Sequence, residues 1–134
     1  MTNEELIEYA LKARENSYSP YSHYKVGAAL LTKDGKVYLG TNVENCAYGP
    51  SNCAERSAIF SAVSNGDRDF VKLAIVGSSG DDIAYPCGVC RQVIAELLPN
   101  ADIICANSVT KYEVHKIKDL LPHAFTPDDV ANVE

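Results

Sequence analysis

No stretch of this 134-residue sequence is rich in lysine or arginine, and the formal net charge is −6. A polynucleotide binder normally carries a positive footprint. Its absence argues against a base within DNA or RNA as the ligand and favours a free small molecule. There is no signal-peptide-like segment and no long apolar run. Residues 4–16 carry Glu4, Glu5, Glu8, Lys12, Arg14 and Glu15, which excludes both an h-region and a membrane span there. Repeats, low-complexity tracts and linkers are also missing, so residues 1–134 are expected to form one domain. The five cysteines are an odd number without a secretory signal. That pattern predicts reduced thiols and a cytoplasmic address.

What is present is an ordered series of short elements. Thr2 and Glu5 have capping-box spacing, and Leu6, Ile7, Ala10 and Leu11 then form one helical stripe that should end before Ser19-Pro20. Val26 to Thr32 and Val37 to Val43 flank Asp34-Gly35 and predict a β-hairpin. Residues 53–65 predict a helix that buries Ala58, Ile59, Ala62 and Val63. Val71 to Val76 is a strand. Residues 87–98 are a second such helix, with Val89, Val93, Ile94, Leu97 and Leu98 inward. Ile103 to Ala106 and Tyr112 to Ile117 are further strands, and Leu120-Leu121-Pro122 opens an irregular tail. The order α-β-β-α-β-α-β-β implies a mixed sheet covered by helices.

The chemistry concentrates at two predicted helix starts, Cys53-Ala54-Glu55 and Pro86-Cys87-Gly88-Val89-Cys90. Three thiolates can hold a zinc ion and leave one position for water, which becomes a nucleophile near neutral pH. Glu55 is placed to move protons. A helix N-terminus lowers a thiol's pKa. Three thiolates on one zinc leave a formal charge of −1, and Arg56 is the favoured compensating cation, with Arg91 second. Each part also has a plainer reading. Cys87 and Cys90 alone could be a redox pair or half of a structural zinc site. Asn52 and Glu55 have capping-box spacing, so Glu55 could merely bond a backbone N–H. Cys46 could close a structural site as fourth ligand, although Cys46 and Cys105 read better as small buried hydrophobes. The joint pattern favours catalysis.

The chain resembles the small, homotetrameric, zinc-dependent cytidine deaminases over nearly its whole length. The resemblance runs through Ser19-Pro20-Tyr21-Ser22, Val26-Gly27-Ala28-Ala29-Leu30, Asn42-Val43-Glu44-Asn45, Cys53-Ala54-Glu55-Arg56, Pro86-Cys87-Gly88-Val89-Cys90-Arg91-Gln92 and Leu120-Leu121-Pro122. It implies a three-layer α/β/α fold with a mixed five-stranded sheet. It implies one zinc per chain on Cys53, Cys87 and Cys90, with Glu55 as proton shuttle and Arg56 tempering the thiolates. Asn42 and Glu44 are implied to hold the ribose 3′-hydroxyl, and Ala54 to present its backbone to the pyrimidine. Phe125 and Tyr48 are implied to complete a neighbouring subunit's site in a homotetramer. From the residues alone, Phe125 reads as an anchor for the tail, and Asn42 and Glu44 as a solvated strand end. Tyr24 stands where many relatives carry phenylalanine against the substrate, and Cys46 where alanine or serine is common. The implied reaction is hydrolysis of cytidine or deoxycytidine to uridine or deoxyuridine and ammonia. The nearest rival is another aminohydrolase, one resembling blasticidin-S deaminase, and a zinc-stapled domain without activity is a third.

Overall fold

The first helix begins as its sequence dictates. Thr2 Oγ1 accepts from the Glu5 N–H, and Glu5 Oε1 accepts from the Thr2 N–H, each at 3.1 Å. This capping box satisfies donors that a helix start leaves unpaired. The computed structural model describes residues 1–78 and 80–131. Its elements are α1 (Asn3–Arg14), β1 (Val26–Thr32), β2 (Val37–Thr41), α2 (Ala54–Ser64), β3 (Phe70–Gly77), α3 (Gly88–Leu97), β4 (Asp102–Ser108), β5 (Lys111–His115), α4 (Ile117–Leu120) and α5 (Pro127–Ala131).

The five strands form one sheet in the order β2-β1-β3-β4-β5. Only β3 and β4 are parallel, because α3 carries the chain back across the sheet between them. The β1–β2 hairpin pairs Leu31 with Val37 and Gly27 with Thr41. Side chains alternate between two faces. Ala29, Leu31, Ala74, Val76, Ile104 and Ala106 pack against Leu6, Ile7 and Ala10 of α1. Ala28, Leu30, Leu73, Ile75, Ile103 and Cys105 pack against α2 and α3 through Ala58, Ile59, Ala62 and Ile94. Helices on both faces make the three-layer α/β/α fold with a mixed five-stranded sheet. They also explain why β1 is apolar along its length rather than alternating. Among the described residues, no helix is long and apolar enough to cross a membrane.

Four expectations need correction. Val89 is 58% exposed. The inward stripe of α3 runs through Cys90, Ile94 and Leu98, and Val89 lies one position, about 100°, around the helix from it. The last strand stops at His115, Ile117 opens α4 where the strand was expected to end, and the expected irregular tail contains one short helix, α5. The hairpin's second strand stops at Thr41. Val43 instead bridges Tyr18 on one side and Asn52 on the other. Cys46 is exposed in a turn rather than buried, whereas Cys105 is buried as expected.

The Val43 bridges gather three segments past the end of β2: the α1–β1 connection, the residues following β2, and the approach to α2. Gly40 brings α2 close to the sheet. A Cβ at Gly40 would lie 2.3 Å from the Ala54 carbonyl oxygen and 2.5 Å from the Ala58 nitrogen. The backbone of α2 occupies the space a side chain would need, and Cys53, Ala54 and Glu55 stand at that helix start.

Candidate active site

Cys53 and Cys87 are the N-cap residues of α2 and α3, both with extended backbone and no side-chain capping bond. Their carbonyls accept the first helical hydrogen bonds, from Ser57 at 3.1 Å and Arg91 at 2.9 Å. The thiols are left to face each other, with Sγ atoms 3.7 Å apart. Cys90, in the first turn of α3, is buried, and all three sulfurs lie within 4.8 Å of one another. Tetrahedral zinc–thiolate bonds of about 2.3 Å set sulfurs about 3.8 Å apart, so the donor set and its spacing fit a zinc ion. Among the described residues this is the only such cluster, and Cys46 is not in it. The closed four-cysteine site does not form.

Arg56 Nη2 donates to Cys53 Sγ at 3.3 Å. The Cys53 thiol is pulled down to about 5, first by the hydrogen bond from Cys90 and then, against burial, by Arg56 and Cys87. Cys90 is pushed up by its bond to Cys53 and by burial. Burial works against the Arg56 charge, but hydrogen bonds to Cys53 and Cys90 outweigh it and hold the guanidinium firmly protonated. Its Nε is buried without a hydrogen-bond partner. Arg91 is occupied elsewhere, donating to the Pro86 carbonyl at 2.8 Å and the Leu120 carbonyl at 2.7 Å.

Glu55 is only 4% exposed. Burial pushes its carboxyl up to about 7, opposed mainly by a hydrogen bond with its own backbone. It does not form a capping box with Asn52. Cys53 holds the N-cap position, and Asn52 Nδ2 instead donates to Ser57 Oγ at 3.2 Å.

Cys53, Cys87 and Glu55 open onto a cleft of about 380 Å³, a size suited to a small molecule. Tyr24, Ala54, Asn42 and Glu44 line it as well. Asn42 is 9% exposed, not a solvated strand end. Its Nδ2 donates to the Tyr24 carbonyl at 2.7 Å, and its Oδ1 accepts from the Val26 N–H at 2.9 Å and from the Ser17 hydroxyl. Glu44 Oε1 accepts from the backbone N–H groups of Tyr21 and Ser22, both at 3.1 Å, and Oε2 accepts from the Ser22 hydroxyl. Those bonds, led by the Ser22 hydroxyl, hold the Glu44 carboxyl below the usual carboxylate range.

Two residues implied at the site lie outside this cleft. Tyr48 is 73% exposed and meets Tyr21 edge-on, with centroids 6.3 Å apart. Phe125 is 61% exposed beside Glu96 and Val130, so it does not anchor the tail in the core. Sequence reasoning missed Tyr85 and Ser22, which also line the cleft. Tyr85 directly precedes Pro86-Cys87, and that adjacency was the available signal. Its hydroxyl donates to Glu113 on β5 at 2.7 Å.

Residues 1–107 match the family described as the cytidine and deoxycytidylate deaminase zinc-binding region. Over 131 residues the chain is 47% identical to a cytidine deaminase of Halalkalibacterium halodurans, covering 97% of this chain and 98% of that protein. Over 132 residues it is 46% identical to a cytidine deaminase of Sporosarcina psychrophila, covering 98% and 96%. The crystal structure of a cytidine deaminase from Burkholderia pseudomallei superposes with a TM-score of 0.89 at 50% identity, covering 93% of this chain and all of that one. The three-thiol cluster at two helix starts is thus accompanied by similarity along the whole fold, and the chain belongs to the zinc-dependent cytidine and deoxycytidylate deaminase family.

Proposed function

We propose that this chain, as a single catalytic domain, hydrolyses cytidine and deoxycytidine to uridine and deoxyuridine with release of ammonia. The observation that carries the reading is the buried Glu55 carboxyl beside the Cys53, Cys87 and Cys90 sulfurs, in one cleft with Asn42 and Glu44. Cys53, Cys87 and Cys90 hold the zinc ion, which when bound acidifies a water molecule and fixes its position. Arg56 offsets the excess thiolate charge.

The protein's own groups then do the following. Asn42 and Glu44 bind the sugar, since an amide N–H and a carboxylate together serve a hydroxyl that both accepts and donates. The Ala54 backbone orients the pyrimidine, and Tyr24 walls it. Glu55 takes a proton from the attacking water and delivers it to N3 of the base. It then passes a second proton to the departing amine, so that water has added at C4 and ammonia leaves. Fixing water and base in one geometry removes much of the entropic barrier. General acid–base transfer of this kind contributes about 10²–10⁴-fold.

We further propose that the active unit is a homotetramer in which Phe125 and Tyr48 complete a neighbour's site. Their high exposure and their absence from the lining of their own cleft support that reading. Their rings are available to another subunit, and closed symmetric assembly is the usual form of homo-oligomers.

The test is an ultraviolet assay of the purified protein on cytidine, deoxycytidine, CMP and blasticidin S. Both nucleosides are turned over. CMP is not, because the net charge of −6 and Glu44 beside the sugar repel a phosphate. Turnover of blasticidin S in preference to the nucleosides would mark the rival aminohydrolase.

A further inference from the structure

Asn42 is held more completely than a cleft-lining amide needs for support. Its Oδ1 accepts from the Val26 N–H at 2.9 Å and from the Ser17 hydroxyl. An amide oxygen has two acceptor sites, and both are filled. Its Nδ2 donates one of two hydrogens, to the Tyr24 carbonyl at 2.7 Å. One N–H therefore remains for the cleft and no lone pair does. Ser17 is well placed for this. It follows α1 and immediately precedes Tyr18, whose N–H donates to the Asn42 carbonyl at 3.1 Å. The Ser17 oxygen also lies 3.2 Å from that of the buried Ser19. Glu44 has the opposite polarity. Two backbone N–H groups and the Ser22 hydroxyl converge on its carboxylate, which offers only acceptor sites.

We propose that Ser17 is a positioning residue for sugar recognition, which fills the last acceptor site of Asn42 and makes that side chain a pure donor to the cleft. This rests on the reading that Asn42 and Glu44 bind the sugar 3′-hydroxyl. The direction of both bonds then follows. The sugar hydroxyl accepts from Asn42 and donates to Glu44, and a group that can only accept or only donate loses one contact. Without the Ser17 hydroxyl, Oδ1 has an open lone pair that water or the substrate's own hydroxyl can engage. The amide stays in place through Val26 and Tyr24, but its polarity towards the substrate is no longer unique.

The experiment compares the wild-type holoenzyme with Ser17→Ala, Ser17→Thr and Asn42→Ala. It reads kcat and KM for 2′-deoxycytidine, and the inhibition constant of 2′,3′-dideoxycytidine, which lacks the 3′-hydroxyl. Ser17→Ala raises KM for 2′-deoxycytidine by about 2- to 12-fold, the range of one net hydrogen bond, with kcat within about twofold. It leaves the dideoxycytidine constant unchanged, and Ser17→Thr restores the wild-type KM. Asn42→Ala weakens 2′-deoxycytidine far more than dideoxycytidine. Equal losses on both ligands in Ser17→Ala, or no loss on either, overturn the proposal and leave Ser17 a packing residue. Equal losses on both ligands in Asn42→Ala overturn the sugar reading itself, and the role of Ser17 with it.

Discussion

The guanidinium of Arg56 donates to the sulfur of Cys53 at 3.3 Å, across the first turn of α2. A fixed cation is thereby in contact with a thiol whose pKa it helps to lower. A divalent zinc with three thiolates carries a formal charge of −1, and the role proposed for Arg56 is to offset it without supplying a ligand. Arg56→Gln shortens the side chain by two atoms and removes both the charge and the Nη2 contact with Cys53. It weakens zinc retention by about 10- to 100-fold, the usual cost of losing a group that supports a metal ligand. Competition with a chromogenic chelator measures this. Wild-type retention in the variant shows that the helix N-termini are sufficient.

Zinc content follows the thiols that meet, not the number of cysteines. One ion per chain is expected in the purified protein, in Cys46→Ala and in Cys105→Ala. Cys53→Ala, Cys87→Ala and Cys90→Ala each lose it, because two thiolates are left where three converged. Elemental analysis across the five variants decides the matter. Loss of zinc from Cys46→Ala would support the closed structural site.

Gly40 tests the link between fold and site. Its missing side chain leaves room for the Ala54 carbonyl, 2.3 Å from where a Cβ would stand. Gly40→Ala displaces the start of α2 and with it Cys53 and Glu55. The expected cost is about 1–3 kcal/mol of stability, as for other overpacking changes, together with a fall in kcat. Denaturant unfolding and steady-state kinetics report the two effects. Unchanged kcat in a destabilised variant would show that the site tolerates movement of its helix.

Phe125 separates a shared site from a self-contained one. Stacking on the base contributes about 0.5–1.5 kcal/mol, so Phe125→Ala raises KM by about 2- to 15-fold and keeps its zinc. Mixing inactive Glu55→Gln with a Phe125→Ala–Tyr48→Ala double variant, after reversible dissociation, restores part of the activity in the hybrids. A monomer with full turnover, by sedimentation, rules the shared site out.

Local patterns carried most of the fold. The Thr2–Glu5 capping box, the hairpin across Asp34-Gly35 and the helix beginning at Cys53 depend on residues a few positions apart, and all are present. The three-thiol cluster was legible for the same reason, since each group sits at a helix start that its own neighbours define. What was not legible depends on distant partners. Val89 belongs to an apolar helix, but which side faces inward is set by the sheet beneath Cys90, Ile94 and Leu98. Tyr85 acquires its anchor from Glu113 on the far edge strand, and Ser17 its partner from Asn42 after β2. No local pattern brings those pairs together. The burial of Glu55, which raises its carboxyl pKa, likewise requires the packing of α2 on the sheet.

The central claim is that Glu55 moves protons for hydrolysis of cytidine at a three-cysteine zinc site. The most direct measurement is the release of ammonia and uridine from cytidine by zinc-loaded wild type and zinc-loaded Glu55→Gln, compared at equal metal content. The amide is nearly isosteric with the acid and cannot take up a proton at neutral pH. Wild type should form uridine and ammonia in equal amounts, and the variant should retain its zinc while losing about 10²–10⁴-fold in kcat. A Glu55→Gln protein within about tenfold of wild type, or a zinc-loaded wild type that leaves cytidine intact, contradicts the account.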